Sequence, residues 1–298
     1  MPNLRSLVKR RKAIRNIRKI TKTMELIATA RFKKALDQAM EAEAYTKKIA
    51  ELASDLTSTA GEVSHPLLAV RPEIKKVLVL VLTANRGLCG GYNGGILRAA
   101  FARIKSLQIA NSAFDLEVSG KRGAQFFKFQ RIPTSAAYTH FEEKPTFDEV
   151  EILASKYIDL YATGQIDQLV VVYQKFGTVA RQYPVVETLL PLSSVAVETK
   201  GSKPAPAAEP AAKVDYEFFP NAGEILGNLV PVAFKVRLFK CFLDAAVGEQ
   251  IARRVAMKAA TENAGDLIKE VSRLYNRTRQ ANITKEISEL IAGSEALK

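Results

Sequence analysis

The chain has 298 residues, of which 47% are apolar, which is enough for one sizeable core or two modest domains. No run approaches the ~18 apolar residues that a membrane-spanning helix needs, and no apolar segment follows the basic N-terminus as in a secretory signal. Two cysteines, Cys89 and Cys241, are too few for a disulfide framework and fit a reducing compartment.

The net charge of +13 is concentrated near the N-terminus. Residues 1–50 contain 14 Lys or Arg and four Asp or Glu, and no acidic residue precedes Glu25. Such a basic segment predicts an acidic partner, whether nucleic acid, anionic lipid or an acidic protein surface. Aromatic side chains do not alternate with these charges, which disfavours a site for single-stranded nucleic acid.

The first predicted element is one long helix over residues 4–57. Proline does not occur in this range, since the nearest one upstream is Pro2, and the first glycine is Gly61. Apolar or small residues recur at a spacing near 3.5, which is typical of a coiled-coil seam. Members of this seam are Ile14, Ile17, Thr21, Met24, Ala28, Ala35, Ala42, Tyr45, Ile49, Leu52 and Leu56, with interruptions at Arg10, Arg31 and Gln38.

The middle of the chain alternates between strand and helix patterns. Strands are predicted over residues 76–84, 114–118 and 168–175, the first with the continuous apolar run of a strand buried on both faces. Helices are predicted over residues 92–107, 121–130 and 147–162, and residues 185–192 are expected to pair with the last strand. This order predicts a central Rossmann-like α/β domain over residues 61–221, with a mobile Pro/Ala linker at 199–213.

A second long helix is predicted over residues 222–292. Pro231 is expected to kink or restart it, because proline lacks the backbone N–H. Leu267, Val271, Leu274, Thr278 and Ala281 form an apolar stripe. Two long helices at opposite chain ends predict a long antiparallel coiled coil made of residues 1–60 and 222–298.

No catalytic, cofactor or metal site is predicted. The glycine-rich segment 87–95 follows a strand, where a phosphate loop would lie, but it matches neither G-x-G-x-x-G nor a Walker A sequence. The two histidines, His65 and His140, have no neighbours at metal-ligand spacing. The segment 87–95 is therefore interpreted as a tight turn.

Four blocks of sequence resemble the gamma subunits of F-type ATP synthases. They are residues 19–28 (KITKTMELIA), 86–93 (RGLCGGYN), 167–192 with RQYPVVE, and the C-terminal series VAMK, NAGDLI, YNR and RQA between residues 255 and 281. The blocks occur in the family's order and span nearly the whole chain. The C-terminal series is the most specific.

The resemblance implies a non-catalytic rotor shaft without a cofactor. The terminal helices would turn inside a ring of alpha and beta subunits, and the remainder would contact the epsilon subunit and the membrane c-ring, on the cytoplasmic face of the bacterial cell inner membrane. Rotation would couple proton flow to ATP synthesis or hydrolysis. The alternative left open by the residues alone is a basic coiled-coil adaptor for nucleic acid or anionic membrane.

The resemblance also implies interface residues. The expected contacts with the alpha/beta ring are Lys22, Met24, Arg254, Gln280, Thr284 and Glu286. The expected contacts with the c-ring are Tyr216, Glu217 and Phe218. In the latter segment Phe219 precedes Pro220, where the family usually has an acidic residue.

Overall fold

The computed structural model describes residues 3–59, 65–141, 145–192 and 222–296. In these ranges the chain forms α1 (Leu4–Thr59), β1 (Lys76–Leu82), α2 (Tyr92–Ile109), β2 (Ala113–Ser119), α3 (Lys121–Phe129), β3 (Ala136–Tyr138), α4 (Phe147–Ala162), β4 (Gln168–Thr178), β5 (Arg181–Leu190) and α5 (Ala222–Ala296). The predicted mixed α/β fold with a long helix at each end is confirmed. The predicted linker 199–213 lies outside the described residues.

The strands form one sheet in the order β3-β2-β1-β4-β5. β1 pairs in parallel with β2 and β4, and β2 pairs in parallel with β3, whereas β5 is antiparallel to β4. This is the strand order of a Rossmann-like sheet with an antiparallel edge. The three-residue strand β3 was not predicted, because so short a segment carries no alternating pattern.

Strand β1 explains why the sheet is covered on both faces. Six of its seven residues are buried, so side chains that alternate between the two faces all meet apolar neighbours. On one face Leu78, Leu80 and Leu82 share a core with residues of α4 and α5, including Tyr157 and Phe234. The opposite face is covered by α2 and α3.

The residues of the chain separate into two compact units. The helical unit comprises Met1–Arg31, Leu88–Gly90 and Ile251–Lys298, and the sheet unit comprises Phe32–Gly87 and Gly91–Gln250. Helices α1 and α5 contribute residues to both units. The predicted domain boundaries at residues 60 and 222 stay a prediction.

Within the sheet unit, an ion pair joins α5 to β5. Arg237 donates to the Glu187 carboxylate at 2.8 Å, and the Tyr173 hydroxyl donates to it at 2.7 Å. Burial alone would raise the pKa of Glu187, but these donors and the charge of Arg237 outweigh it and hold the pKa below its ordinary value. Glu187 is therefore charged, and the loss of either partner would leave a buried charge that destabilises the fold.

Helix α4 is held by its cap and by a buried acid. Thr146 and Glu149 form a reciprocal capping box at its first turn. Farther along, the buried Glu117 of β2 accepts hydrogen bonds from Tyr157 at 2.6 Å and from Lys156 at 2.5 Å. Burial, followed by the nearby Glu117 charge, raises the pKa of Tyr157, so the phenol stays protonated and donates.

Pro231 does not restart the last helix. Helix α5 is continuous from Ala222 to Ala296 with this proline inside it. Proline removes a single helical N–H donor, and its neighbours Val230 and Phe234 are buried in the sheet-unit core. Packing of these side chains outweighs the loss of one hydrogen bond, so the expected restart is wrong, whereas the alternative expectation of a kink stays a prediction.

Candidate partner interfaces

The helical unit is an antiparallel pair of helices with a seven-residue repeat. Every seventh position is buried: Leu7, Ile14, Thr21 and Ala28 on α1, and Met257, Ala264, Val271 and Thr278 on α5. The Arg11 guanidinium lies 5.1 Å from the centre of the Tyr275 ring, and the Thr21 and Thr261 hydroxyls are 2.8 Å apart. Later residues of α1 thus face earlier residues of α5, as a heptad seam requires.

A second line of residues packs in the seam beside these buried positions. It lies one residue away from the line that the sequence predicts. Ile17, predicted in the seam, is 52% exposed, whereas Arg18 lies against Gly265. On α5, Leu267 and Leu274 are exposed, and Ile268 and Tyr275 pack on the core in their place. One residue is a rotation of about 100° on a helix, so a long Arg stem can cover the seam while the adjacent isoleucine faces outward.

The predicted N-terminal interface residues lie beside this seam. Lys22 is exposed, and its ammonium is 3.1 Å from the Glu25 carboxylate. Met24 is half-buried. Neither side chain is locked in the core, so both have surface available for a partner.

The predicted C-terminal interface residues are not brought together. Arg254 is half-buried near the middle of α5, whereas Gln280, Thr284 and Glu286 are exposed near its end. From Arg254 to Glu286 the helix rises roughly 48 Å, at 1.5 Å per residue. They are two separate candidate contacts. Tyr216, Glu217 and Phe218, the predicted c-ring contacts, lie outside the described residues.

Sequence reasoning missed an apolar stripe at the end of α5. Ile283, Ile287, Leu290 and Ile291 are all exposed. Their spacing of four, three and one residues is that of one face of a helix, so the signal was present. In the sequence it was hidden by the surrounding Lys and Glu residues.

The turn after β1 places two hydrogen-bond acceptors at the first turn of α3. The N–H of Gly123, in the first turn of α3, donates to the Thr83 hydroxyl at 3.0 Å, and the Lys121 N–H donates to the Asn85 side chain at 3.0 Å. The adjacent cleft, which includes Thr83, Ser119 and Phe141 in its lining, holds about 50 Å³, against several hundred for a nucleotide site. Thr83 and Asn85 of this turn thus accept from the first N–H groups of α3, whereas α2, the helix that follows the turn, has no side-chain cap at Gly91.

No helix in the described ranges combines the length and the apolar character that crossing a bilayer requires. Among the same residues, no group of three or more His, Cys, Asp or Glu side chains is placed to hold a metal ion.

Solved structures share the fold. A chain of the Euglena gracilis mitochondrial ATP synthase, in a structure of its OSCP, F1 and c-ring assembly, superimposes with a TM-score of 0.64 over 99% of this chain and 94% of its own, at 16% identity. A chain of the Tetrahymena thermophila enzyme, in a structure of its central stalk and c-ring, gives a TM-score of 0.53 over 81% of this chain and 99% of its own, at 20% identity.

Sequence relatives identify the family. The family model described as ATP synthase matches residues 3–297. The ATP synthase gamma chain of Rhodopirellula baltica is 53% identical over the full length of both chains, and that of Leptospira biflexa is 39% identical over the full length of both. The order of helices and strands, the heptad-paired termini and these relatives agree, and the chain belongs to the ATP synthase gamma-chain family.

Proposed function

We propose that the chain is the central rotor shaft of an F-type ATP synthase, a non-catalytic subunit that couples proton flow to ATP synthesis or hydrolysis. The observation that carries the proposal is the helical unit, where two chain ends pair antiparallel along a heptad seam. A stiff pair of helices can transmit rotation along its length. Its partners would be the alpha, beta and epsilon subunits and the c-ring.

The surface of the helical unit suits a shaft that turns in a collar. The exposed positions of α1 carry many Lys and Arg side chains, and the large apolar ones, such as Ile17 and Ile20, are scattered among them. Long-range attraction to an acidic collar can centre such a shaft without anchoring it in one orientation. Deep aromatic anchors, which fix most interfaces, would resist rotation.

The proposed contacts with the alpha/beta ring are Lys22 and Met24 on α1 and Arg254, Gln280, Thr284 and Glu286 on α5. The half-buried or exposed state of these side chains supports the proposal. For the c-ring we propose Tyr216, Glu217 and Phe218. For the domains we keep residues 1–60 and 222–298 as shaft and 61–221 as the α/β domain.

A gamma chain is part of a membrane-associated complex. For this one we propose a peripheral position on the cytoplasmic face of a bacterial inner membrane, reached through the c-ring. The net charge of +13 supports a position near acidic partners.

Co-purification tests the proposed function. A tagged copy of the full chain, expressed in its own cell and extracted in mild detergent, should elute with alpha-type and beta-type ATPase subunits in a complex that hydrolyses ATP. Elution of the chain alone, or with nucleic acid, would contradict the proposal and favour the basic adaptor.

A further inference from the structure

Helices α2 and α3 differ in charge from helix α4, which lies on the opposite face of the sheet. Helices α2 and α3, on one face, contain six basic residues and no acidic residue: Arg98, Arg103, Lys105, Lys121, Arg122 and Lys128. Helix α4, on the other face, contains Asp148, Glu149, Glu151 and Asp159 against the single base Lys156. The outward surface of α2 and α3, called the α2–α3 face below, is therefore a uniformly basic layer.

The charges of the α2–α3 face are not neutralised within the described residues. None of its six cations forms an ion pair there. The Lys105 ammonium lies 4.7 Å from the centre of the Phe101 ring, and Arg98 donates to the Gly94 carbonyl at 3.2 Å. These contacts leave the positive charge uncompensated, so the layer attracts an anionic surface.

Two large apolar side chains stand at one end of this layer. Ile109, the last residue of α2, is 87% exposed, and Phe129, the last residue of α3, is 82% exposed. The two helices follow adjacent parallel strands and pack against each other, so their carboxyl ends lie at the same edge of the sheet. An exposed aromatic ring within a basic surface has the composition of an interface anchor.

We propose that the α2–α3 face binds an acidic protein surface of a subunit that turns with this chain in the assembled ATP synthase, with Phe129 received by an apolar pocket of that partner. The cations supply the complementary charge and Phe129 the buried contact, which is the usual division between rim and centre of an interface. A membrane surface fits less well. Amphipathic helices that lie on lipid present a continuous apolar face, whereas Ile109 and Phe129 occupy one end only and Ala102 and Gln125 lie between the charges.

Zero-length carbodiimide crosslinking of the assembled complex tests this inference, which rests on the proposed function. The reagent joins an ammonium to a carboxylate only when they touch. We expect Lys128 or Lys105 to be joined to an Asp or Glu of another subunit, as read by mass spectrometry of the peptides. Phe129→Ser should reduce that product about tenfold, as expected for loss of an anchor residue.

Two controls make the result decisive. The exposed Lys76–Asp115 pair, 2.7 Å apart in this chain, should crosslink equally in every sample and reports that the fold and the reagent are intact. Ile152→Ser removes an equally exposed side chain, 75% accessible, from the acidic helix α4 and should leave the Lys128 product unchanged.

Three results would overturn the inference while leaving the proposed function standing, provided the complex still co-purifies. One is the Lys76–Asp115 product without any Lys128 or Lys105 link to another subunit. Another is an equal loss of the intersubunit product in Ile152→Ser. The third is sedimentation of the purified full chain with phosphatidylglycerol vesicles that Phe129→Ser abolishes, which would assign the face to lipid.

Discussion

The smallest unit that fixes the register of the helical unit is a pair of threonines. Thr21 and Thr261 are buried or half-buried in the seam, and their hydroxyls are 2.8 Å apart. A polar pair among apolar layers penalises any slipped alignment that would separate its two members. The polar pair lowers the stability of the seam relative to apolar residues, but it favours one alignment of the two helices.

We expect Thr261→Val to destabilise the chain by about 1 kcal/mol, because the buried Thr21 hydroxyl loses its partner across the seam. Thr21→Val with Thr261→Val should recover most of that loss, since two isosteric methyl groups then face each other. Urea unfolding followed by circular dichroism gives the free energies of unfolding of the native chain, of Thr21→Val and Thr261→Val alone, and of the double variant. Simple addition of the two single effects would show that the hydroxyls do not interact.

Met24 tests the proposed contact with the ring. We expect Met24→Lys to assemble normally but to lower ATP-driven proton pumping, because a half-buried lysine can extend its ammonium to solvent and meet an acidic partner. An added ion pair of ~1 kcal/mol would slow escape from one rotary position about fivefold. Both the amount of assembled complex and its proton pumping are measured.

The matched control is Met40→Lys, which adds the same charge at an exposed site of the same helix. It should leave pumping unchanged. If Met24→Lys lowers the amount of complex instead, Met24 serves the core; if it changes neither quantity, the proposed contact is wrong.

The sequence predicted the buried line of every seventh residue in the seam, but it placed the second line of the seam one residue away from its actual position. The repeat through Ile14, Thr21 and Ala28 was found because small and apolar residues mark it. Hydrophobicity placed Ile17 beside it, whereas Arg18 lies there, because apolar pattern takes no account of how a long charged side chain packs. The interface residues were predicted from family resemblance, since the side chains of one chain do not identify the protein that contacts them.

At the scale of elements, the turn from β2 into α3 depends on one glycine. Gly120 has a φ of 100°, and a Cβ there would stand 2.1 Å from the Thr83 carbonyl oxygen. We expect Gly120→Ala to destabilise the chain by roughly 3 kcal/mol or more, because both the backbone conformation and the contact are unfavourable. Thermal unfolding of the purified chain measures it.

Gly94→Ala is the matched control in the neighbouring helix. A Cβ at Gly94 meets nothing within 4 Å, so alanine should stabilise the chain by about 0.5 kcal/mol through the unfolded state. Equal effects of the two substitutions would contradict the argument from the Thr83 contact.

The tie between α5 and β5 predicts a pH dependence. Arg237→Leu should cost roughly 2–3 kcal/mol at pH 7, because Glu187 keeps its Tyr173 donor and the more distant Lys175, 3.9 Å away, but loses its nearest cation. The lowered pKa of Glu187 stabilises the fold above the unfolded value of about 4.3 and is lost as pH falls through the folded value. The difference between variant and native chain should therefore shrink below pH 4.

Urea midpoints at pH 7 and at about pH 3 measure this difference. Lys269→Leu, which breaks an exposed ion pair on the same helix, should shift the free energy of unfolding by less than about 0.5 kcal/mol. A cost for Arg237→Leu that is unchanged at low pH would contradict the assignment of charge to Glu187.

The elements with long, strongly patterned segments were predictable, and the special cases were not. β1 was found from its apolar run, and α4 was predicted over the residues where it occurs. β3 was missed because parallel pairing with β2, and not its own sequence, makes residues 136–138 a strand. The continuity of α5 through Pro231 also depends on tertiary packing, which a local rule cannot include.

For the whole molecule, the sequence predicted an α/β domain between two long terminal helices, and the fold agrees. The basic α2–α3 face emerged only when the topology placed α2 and α3 together. In the sequence the acid-free segments 86–114 and 118–141 are separated by Asp115 and Glu117. The basic residues of the two segments form one surface only when the chain folds.

Observing the rotation of single complexes is the sharpest test of the proposed rotor function. The two native cysteines are buried, so Ile152→Cys offers one exposed thiol for a bead on α4 while the alpha/beta ring is fixed to glass. We expect the bead to turn in one direction when ATP is added and to stop when ATP is removed. Normal ATP hydrolysis with a stationary bead on this chain would contradict it.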